Sequence, residues 1–423
     1  MLRRIQFAII SIVLIVGAFS TGADFLFFLV YLGILVVGGA YVLTRFGLAD
    51  LEAGYVVDGP HAHVGDTLRA TYTVRNASRL PKPWLEVHNP TALPVPLPGR
   101  AIALGSRAER SWVARVPLTR RGHFRIEPMI IRTGDPFGLF ESYASVGSPA
   151  TLIVYPAVQP LPRWRLPSAT LEGSKTSPER TIQTTAMVTS IRPYVTGDAY
   201  NRIHWKSSAR QQELQVKEFD LEQTADIWIF LDLDAAVHTG GDDTATIETC
   251  VNVAAAIASR ALAENRSLGF TAAGARVAVL PADRGPRQQQ KVLQLLAAVE
   301  ADGTMPLREL LVEGLPRLRR GMSAVVITPS LERDWIRPLT TLRGRGIGTT
   351  VCIVDPLAHD EATRGARGLE PVPAAEREDR SRAAKAQHYA LAEYDLLAHV
   401  IRPGRALGEQ IRSTGMAAAM VRR

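Results

Sequence analysis

The sequence predicts two N-terminal transmembrane helices, then an all-β sandwich, then an α/β, Rossmann-like domain. Three observations lead to this reading. Between Ile5 and Thr44 there is one charged residue, Asp24. Thr67–Arg75 alternates apolar with polar residues. From Ile227 onward, short apolar runs alternate with helical stripes. The expected order is a helical hairpin over 1–46, the sandwich over 50–160, a linker over 161–190, a distinctive segment over 191–224, and the α/β domain over 225–423. With 423 residues the chain is too long for one ordinary domain.

Ile5–Ala23 and Phe25–Thr44 are each close to the length that crosses a bilayer core. Ser20–Asp24 supplies a tight turn between them. Arg3 and Arg4 precede the first span and Arg45 follows the second. The positive-inside rule then puts both flanks in the cytoplasm. A two-pass protein of the cell membrane is expected, with its N-terminus and its soluble part cytosolic and lipid as a partner. A signal peptide ending near Ala23 is disfavoured by the second apolar run that follows at once.

Composition narrows the classes. Hydrophobic residues make up 46% and charged residues 21%, which excludes a disordered chain. Two cysteines, Cys250 and Cys352, cannot make a disulfide framework or a four-thiolate zinc site. The net charge of +8 suits anionic lipid or acidic partners. No aromatic pattern of nucleic-acid binders accompanies it, so nucleic acid is not expected as a partner.

In the β region, Leu68, Ala70, Tyr72 and Val74 fall on one face of a strand over 67–75. Further strands are expected at Trp84–His88, Arg110–Val116 and His123–Ile131, with Gly, Pro and Asn between them. His61 and His63 could share a face as a metal pair, but no third ligand is near, and a solvated loop is expected. The α/β region offers strands at Ile227–Leu233, Leu268–Ala272, Val277–Leu280, Ala324–Thr328 and Ile347–Val354. Helices are expected over Ala245–Ala263, Gln288–Val299 and Trp335–Leu342. This pattern implies a mostly parallel sheet covered on both faces, with ligands beyond the carboxyl ends of its strands. Residues 357–388 read as a charged, mobile insertion, and Leu391–Ile411 as closing helices. No P-loop, G-x-S-x-G or H-E-x-x-H motif occurs.

The most distinctive stretch is Ile191–Arg210, IRPYVTGDAYNRIHWKSSAR. Gly197 can turn the chain and Asp198 can cap a following helix. Arg202, Lys206 and Arg210 would then lie four apart on one face, with Trp205 and Ala209 beside them and His204 one residue off the stripe. Such a surface could grip an acidic partner or lipid headgroups. The competing reading is structural: the arginines pair with Asp198, Glu213 or Glu218, and Trp205 fills a seam.

Together with Asp135–Phe140 (DPFGLF) and Val216–Phe219 (VKEF), this stretch resembles the domain of unknown function 58 family. The resemblance rests on the signature Tyr194, Gly197, Asp198, Arg202, Trp205, Lys206, Ala209 and Arg210, with His204 inside it and Lys217 downstream. It implies two membrane spans, a β domain and a von Willebrand factor A-like domain. It also implies a MoxR-type AAA ATPase as partner, a transglutaminase-like membrane protein as a further candidate, and no established enzymatic activity. The resemblance to von Willebrand A domains points to a degraded Mg²⁺ site at Asp232, Asp234 and Thr304, able to hold the ion at most weakly. A plain strand-end turn is the competing reading. The second functional hypothesis is a metal-dependent hydrolase or phosphatase-like enzyme using Asp232 and Asp234; Asp355 is the only later strand-end acid that could assist it.

Overall fold

The computed structural model describes residues 2–164, 188–195, 198, 200, 203–219, 226–241 and 245–411. The chain opens on two helices, α1 (Leu2–Thr21) and α2 (Asp24–Gly47). Among the described residues, α2 is the one helix long and apolar enough to cross a membrane, and the apolar stretch Gln6–Thr21 is shorter. The expectation of two spans therefore rests on one such helix. Phe28, Ile34 and Leu35 stand exposed along it, as a lipid-facing helix requires.

The last turns of α2 are built to meet the β region. Ala40, Thr44 and Gly47 are buried. At Gly47 an added Cβ would lie 2.7 Å from Thr133 Cγ2, so the absence of a side chain sets how closely helix and strand approach. Tyr41 meets Phe140 edge to face, with ring centroids 5.7 Å apart. The DPFGLF stretch is thus a turn beside α2, held by Asp135, whose carboxylate accepts from the backbone N–H groups of Phe137 (2.8 Å) and Phe140 (2.5 Å). Lys82, only 2% exposed, donates from Nζ to the Phe46 carbonyl at 2.5 Å, beside the Ala49 N–H that caps the C-terminal end of α2 on the same oxygen. Burial pulls the Lys82 ammonium below its usual range, against the raising effect of Asp50.

Ten strands follow: β1 (Leu51–Val57), β2 (His61–His63), β3 (Thr67–Asn76), β4 (Lys82–His88), β5 (Arg100–Leu104), β6 (Glu109–Pro117), β7 (Gly122–Ile126), β8 (Met129–Gly134), β9 (Glu141–Val146) and β10 (Ala150–Tyr155). They form sheets in the orders β1-β3-β6, β2-β10-β7 and β5-β4-β8-β9. Their buried faces share one core, in which Leu68, Ala70, Tyr72 and Val74 of β3 meet Leu85, Ile102, Ile131 and Leu152. The alternation read from Thr67–Arg75 is the alternation observed. Two expectations need correction. The single strand over 123–131 is two strands, broken at Glu127-Pro128, because Pro cannot donate to a continuing ladder. His61 and His63 lie on a strand rather than a loop, their rings both against Tyr155, with centroids 5.5 Å away.

The linker expected over 161–190 falls mainly on residues 165–187, outside the described residues. Leu161 and Trp164 at its start are buried. Its end is already strand β11 (Val188–Pro193), which pairs antiparallel with β12 (Gln215–Phe219) around the short helix α3 (Trp205–Gln211).

The α/β region carries a six-stranded sheet in the order β15-β14-β13-β16-β17-β18. Its strands are β13 (Ile227–Leu231), β14 (Leu268–Ala273), β15 (Val277–Asp283), β16 (Ser323–Thr328), β17 (Gly348–Val354) and β18 (Leu397–Ile401). All neighbours pair parallel except the edge strand β15. The helices are α4 (Thr246–Ala263), α5 (Gly285–Ala298), α6 (Leu307–Gly314), α7 (Ile336–Gly344), α8 (Pro356–Ala366), α9 (Ala374–Glu393) and α10 (Leu407–Gln410). Trp228 and Phe230 of β13 share a core with Leu310 of α6 and Leu339 of α7.

Residues 357–388 are not a mobile insertion. They form α8 and most of α9, which are rich in the helix formers Ala, Glu and Arg. Ion pairs lace them, Arg380 meeting both Glu376 and Asp360. Nor is 391–411 all helix: the run Leu397-Ala-His-Val-Ile is the sixth strand.

Replacing Lys82 with Met keeps the stem and removes the Lys82 bond to the Phe46 carbonyl, which keeps the Ala49 N–H at 3.2 Å. Thermal unfolding in detergent should show a loss of about 0.5–1.5 kcal/mol, the worth of one hydrogen bond. An unchanged melting temperature would remove Lys82 from the junction between α2 and the sheet.

Candidate functional site

Two places in the α/β region gather the residues singled out by sequence. The first is the carboxyl end of β13. The parallel order turns outward in both directions from the β13–β16 pair, so this is a topological switch point. Asp232 follows β13 directly and is 1% exposed. Its Oδ2 accepts from the Thr328 hydroxyl at 2.6 Å, across from the end of β16, and its Oδ1 accepts from the Asp234 N–H at 3.2 Å. Burial pushes the Asp232 carboxyl up to about 6. The Thr328 and backbone hydrogen bonds oppose that rise, and the neighbouring carboxylates of Asp234 and Glu332 add to it.

Asp234 accepts from the Ala236 N–H at 3.0 Å, closing a tight turn. The 302–304 loop lies against this turn through a backbone bridge: Gly303 donates to Leu233 at 3.0 Å and accepts from Ala235 at 2.9 Å. A Cβ on Gly303 would sit 2.2 Å from the Ala273 carbonyl oxygen, so only glycine permits this approach. Thr304 follows it, exposed, on the loop beside Asp234. The hydroxyl on Asp232 comes instead from Thr328.

His238 was missed in the sequence. Its Nε2 is 3.0 Å from the Asp232 carbonyl oxygen and its Nδ1 is 3.0 Å from Thr246 Oγ1. A carbonyl only accepts, so Nε2 carries the proton and Nδ1 accepts. Burial lowers the ring's affinity for a second proton, and Asp232 and Asp234 oppose that. His238 thereby fixes the backbone that presents Asp232. The signal available in the sequence was a histidine four residues beyond an Asp-x-Asp, which is too common to single out.

The fit to Mg²⁺ is poor. Both Asp232 oxygens are already engaged, and the described residues contain no group of three His, Cys, Asp or Glu side chains placed to hold a metal ion. A hard divalent ion wants several free oxygens. Asp355, the later strand-end acid, does not join the cluster: it caps α8 through Ala358 and pairs with Arg402.

The second place is the signature segment. It is tied to β12 by backbone bonds from Tyr194 to Leu214 and from His204 to Gln215, both 2.8 Å. The helix starts later than expected. His204 is its N-cap, with Nδ1 accepting from the Ser207 N–H at 3.1 Å, and α3 begins at Trp205. Asp198 is therefore not the cap. Its carboxylate takes both guanidinium nitrogens of Arg192 at 2.8 Å and the Val195 N–H at 3.0 Å, rigidifying the turn instead. Gly197 and Arg202 lie outside the described residues, as does the Lys217 side chain, so the full basic stripe is not seen as a unit. Trp205 is 68% exposed, and Tyr200, Val195, Lys206, Ala209 and Arg210 are exposed with it. Tyr200 stacks on Tyr194 at a centroid separation of 6.0 Å.

Because the Asp232 carboxyl is raised, the folded chain holds a proton there that the unfolded chain has released. Stability from this group is therefore lost as pH rises from about 4 to about 6. Its full displacement is worth up to about 3 kcal/mol. Asp232→Asn should raise the melting temperature at pH 7.5 and leave it nearly unchanged at pH 4, as followed by calorimetry. Destabilisation at pH 7.5, together with loss of a Mg²⁺-induced stabilisation seen in the parent, would mean that the carboxylate is needed as a charged ligand.

Comparison with known proteins places this geometry. Residues 190–377, which include the signature segment and the Asp232 turn, match the family described as Protein of unknown function DUF58. The chain is 26% identical over 321 residues to the Uncharacterized protein YeaD of Bacillus subtilis (strain 168), covering 73% of this chain and 78% of that one. It is also 26% identical over 176 residues to the Uncharacterized protein Rv1480 of Mycobacterium tuberculosis (strain ATCC 25618 / H37Rv), covering 39% of this chain and 54% of the relative. Among solved structures, the CARDB domain of the PF1109 protein from Pyrococcus furiosus aligns with 25% of this chain and 92% of its own, at 14% identity. The TM-score of 0.19 is too low to carry an argument. The match to the DUF58 family is thus carried by the signature segment and the α/β region that follows it, through residue 377.

Proposed function

We propose that the protein is a membrane-anchored, cytosol-facing interaction protein without enzymatic activity. In this reading α1 and α2 form the hairpin anchor, the three sheets form a β-sandwich, and the α/β region is a von Willebrand A-like binding domain. The partner is a MoxR-type AAA ATPase, acting with this chain in assembly of envelope complexes.

The observation that carries the reading is the exposure of the signature. A tryptophan and a tyrosine left largely in water, beside Lys206 and Arg210, are costly to a chain that has no use for them. Aromatic and cationic groups of this kind dominate binding hot spots. The Arg192–Asp198 clamp and the His204 cap hold that surface still, so little ordering entropy opposes binding. The net charge of +8 favours an acidic partner face and, near the membrane, anionic lipid. The hydrolase alternative draws less support, since a buried, hydrogen-bonded Asp232 has no free oxygen for a nucleophile's work.

Trp205→Ala with Arg202→Ala should lower recovery of the ATPase after crosslinking in the native membrane, by an amount matching about 2 kcal/mol or more. The variant should remain in the membrane fraction. Undiminished recovery would overturn the docking role.

A further inference from the structure

The turn between β8 and β9, Asp135–Phe140, is apolar at its tip. Pro136, Phe137 and Gly138 are exposed, and none carries a charge. Phe137 alone leaves 52% of its surface in water. The backbone beneath it is fixed. Pro136 sets the bend, Gly138 takes the left-handed conformation at φ 70°, and the Gly138 N–H donates to the Asp135 carbonyl at 3.1 Å. Pro136 has no N–H, and the N–H groups of Phe137, Gly138 and Phe140 all end on Asp135. The tip thus shows an aromatic ring while its backbone donors are met from within. Entry into a medium of low dielectric demands that combination.

The position of the turn identifies the medium. The turn and α2 belong to one compact unit. The charge-free stretch of α2, Phe25–Thr44, is about 30 Å long at 1.5 Å per residue, the thickness of a bilayer's hydrocarbon core. Arg45, in the last turn of the helix, then marks the headgroup level. Tyr41 comes four residues earlier, about 6 Å along the axis and inside that level. Phe140 packs edge to face on Tyr41, with ring centroids 5.7 Å apart, so the turn shares the depth of the end of the span. Trp84, 39% exposed, lies over Gly134 at the foot of the turn, where an added Cβ would come within 3.4 Å of its ring. Tyr and Trp are the side chains that gather at a bilayer interface.

We propose that the Asp135–Phe140 turn is a second lipid contact, an inference that rests on reading α2 as a membrane span. Phe137 enters the headgroup–acyl boundary of the leaflet in which α2 ends. The sheet β5-β4-β8-β9 is thereby seated on the bilayer at two points, the end of α2 and the tip of its own hairpin. The DPFGLF stretch gains a role separate from that of the signature segment.

The test places a nitroxide spin label on the full chain in vesicles of phosphatidylcholine and phosphatidylglycerol. Cys250 and Cys352 are buried and do not compete for the label. Three single variants are compared: Phe137→Cys, Leu35→Cys in the middle of α2, and Thr67→Cys at the end of β3 away from Asn76, which pairs with Leu51 just after α2. All three residues are exposed, so the changes leave the core untouched. Collisions with oxygen, which concentrates in hydrocarbon, are measured against collisions with a nickel chelate, which stays in water. Leu35 should read as deep hydrocarbon and Thr67 as water. Phe137 should read a depth of about 5–10 Å, the range of apolar groups seated at the headgroup–acyl boundary. A Phe137 label that reads as water while Leu35 lies in lipid would overturn the proposal and leave the anchor standing. A Leu35 label in water would overturn the anchor and the proposal with it. Equal depth at Thr67 and Phe137 would take the contact away from the turn. Dipolar broadening at Phe137 that disappears on dilution with unlabelled protein would put a second copy there in place of lipid.

Discussion

The α/β region depends on strand β13 being buried on both faces. All five residues from Ile227 to Leu231 are inaccessible, and none carries a charge. A strand of that kind cannot face water, so its sheet must be covered on each side, and parallel connections through helices do that. Trp228 and Phe230 fill one face with α6 and α7, and α4 packs near the strand as well. Once β13 is central, its carboxyl end is forced into the middle of the sheet edge. Asp232 stands there because the strand ends there, and it is buried because its neighbours β14 and β16 run alongside. Its raised pKa follows from position before any function is invoked.

What was legible in the sequence was what a local pattern reports. Leu68, Ala70, Tyr72 and Val74 announced their strand because the period of two is carried by the side chains that pack. The apolar runs at β13, β14, β16 and β17 were readable for the same reason. The Asp232 turn could be placed, because a strand followed by acid is a local signal. Residues 357–388 misled because α9 has charged residues nearly all round. Only Gln387 and Leu391 are buried along it, so no apolar stripe marks it as a helix, and its many ion pairs read as disorder. The cap of α3 misled for another reason. Asp198 is the better capping residue by type, but Arg192, six residues earlier, claims its carboxylate, and such a pairing across a turn cannot be seen in a propensity. His204 then caps the helix.

Contacts made by single polar atoms were invisible for the same cause. Thr328 on Asp232, His238 on the Asp232 carbonyl and Lys82 on the end of α2 each join residues far apart in the chain or of unremarkable type. They matter because a buried polar atom costs more unmet than it contributes when met. The DPFGLF stretch illustrates the same point. Its role is visible once Asp135 is seen bonding its own loop and Phe140 is seen against Tyr41.

The loop that begins at Thr328 joins the Asp232 turn to α9. At its start, Thr328 donates to Asp232. Two residues on, the Ser330 carbonyl accepts from the fully buried Gln387, whose own oxygen has no partner among the described residues. The loop is thus held from one side by a carboxylate whose protonation changes near pH 6 and from the other by the buried amide of Gln387. A change in packing at Gln387 would bear on the loop that presents Thr328. By the same coupling, the charge on Asp232 would bear on the packing at Gln387. A short loop fixed at both ends by buried polar groups is a direct way for one part of a sheet edge to respond to another.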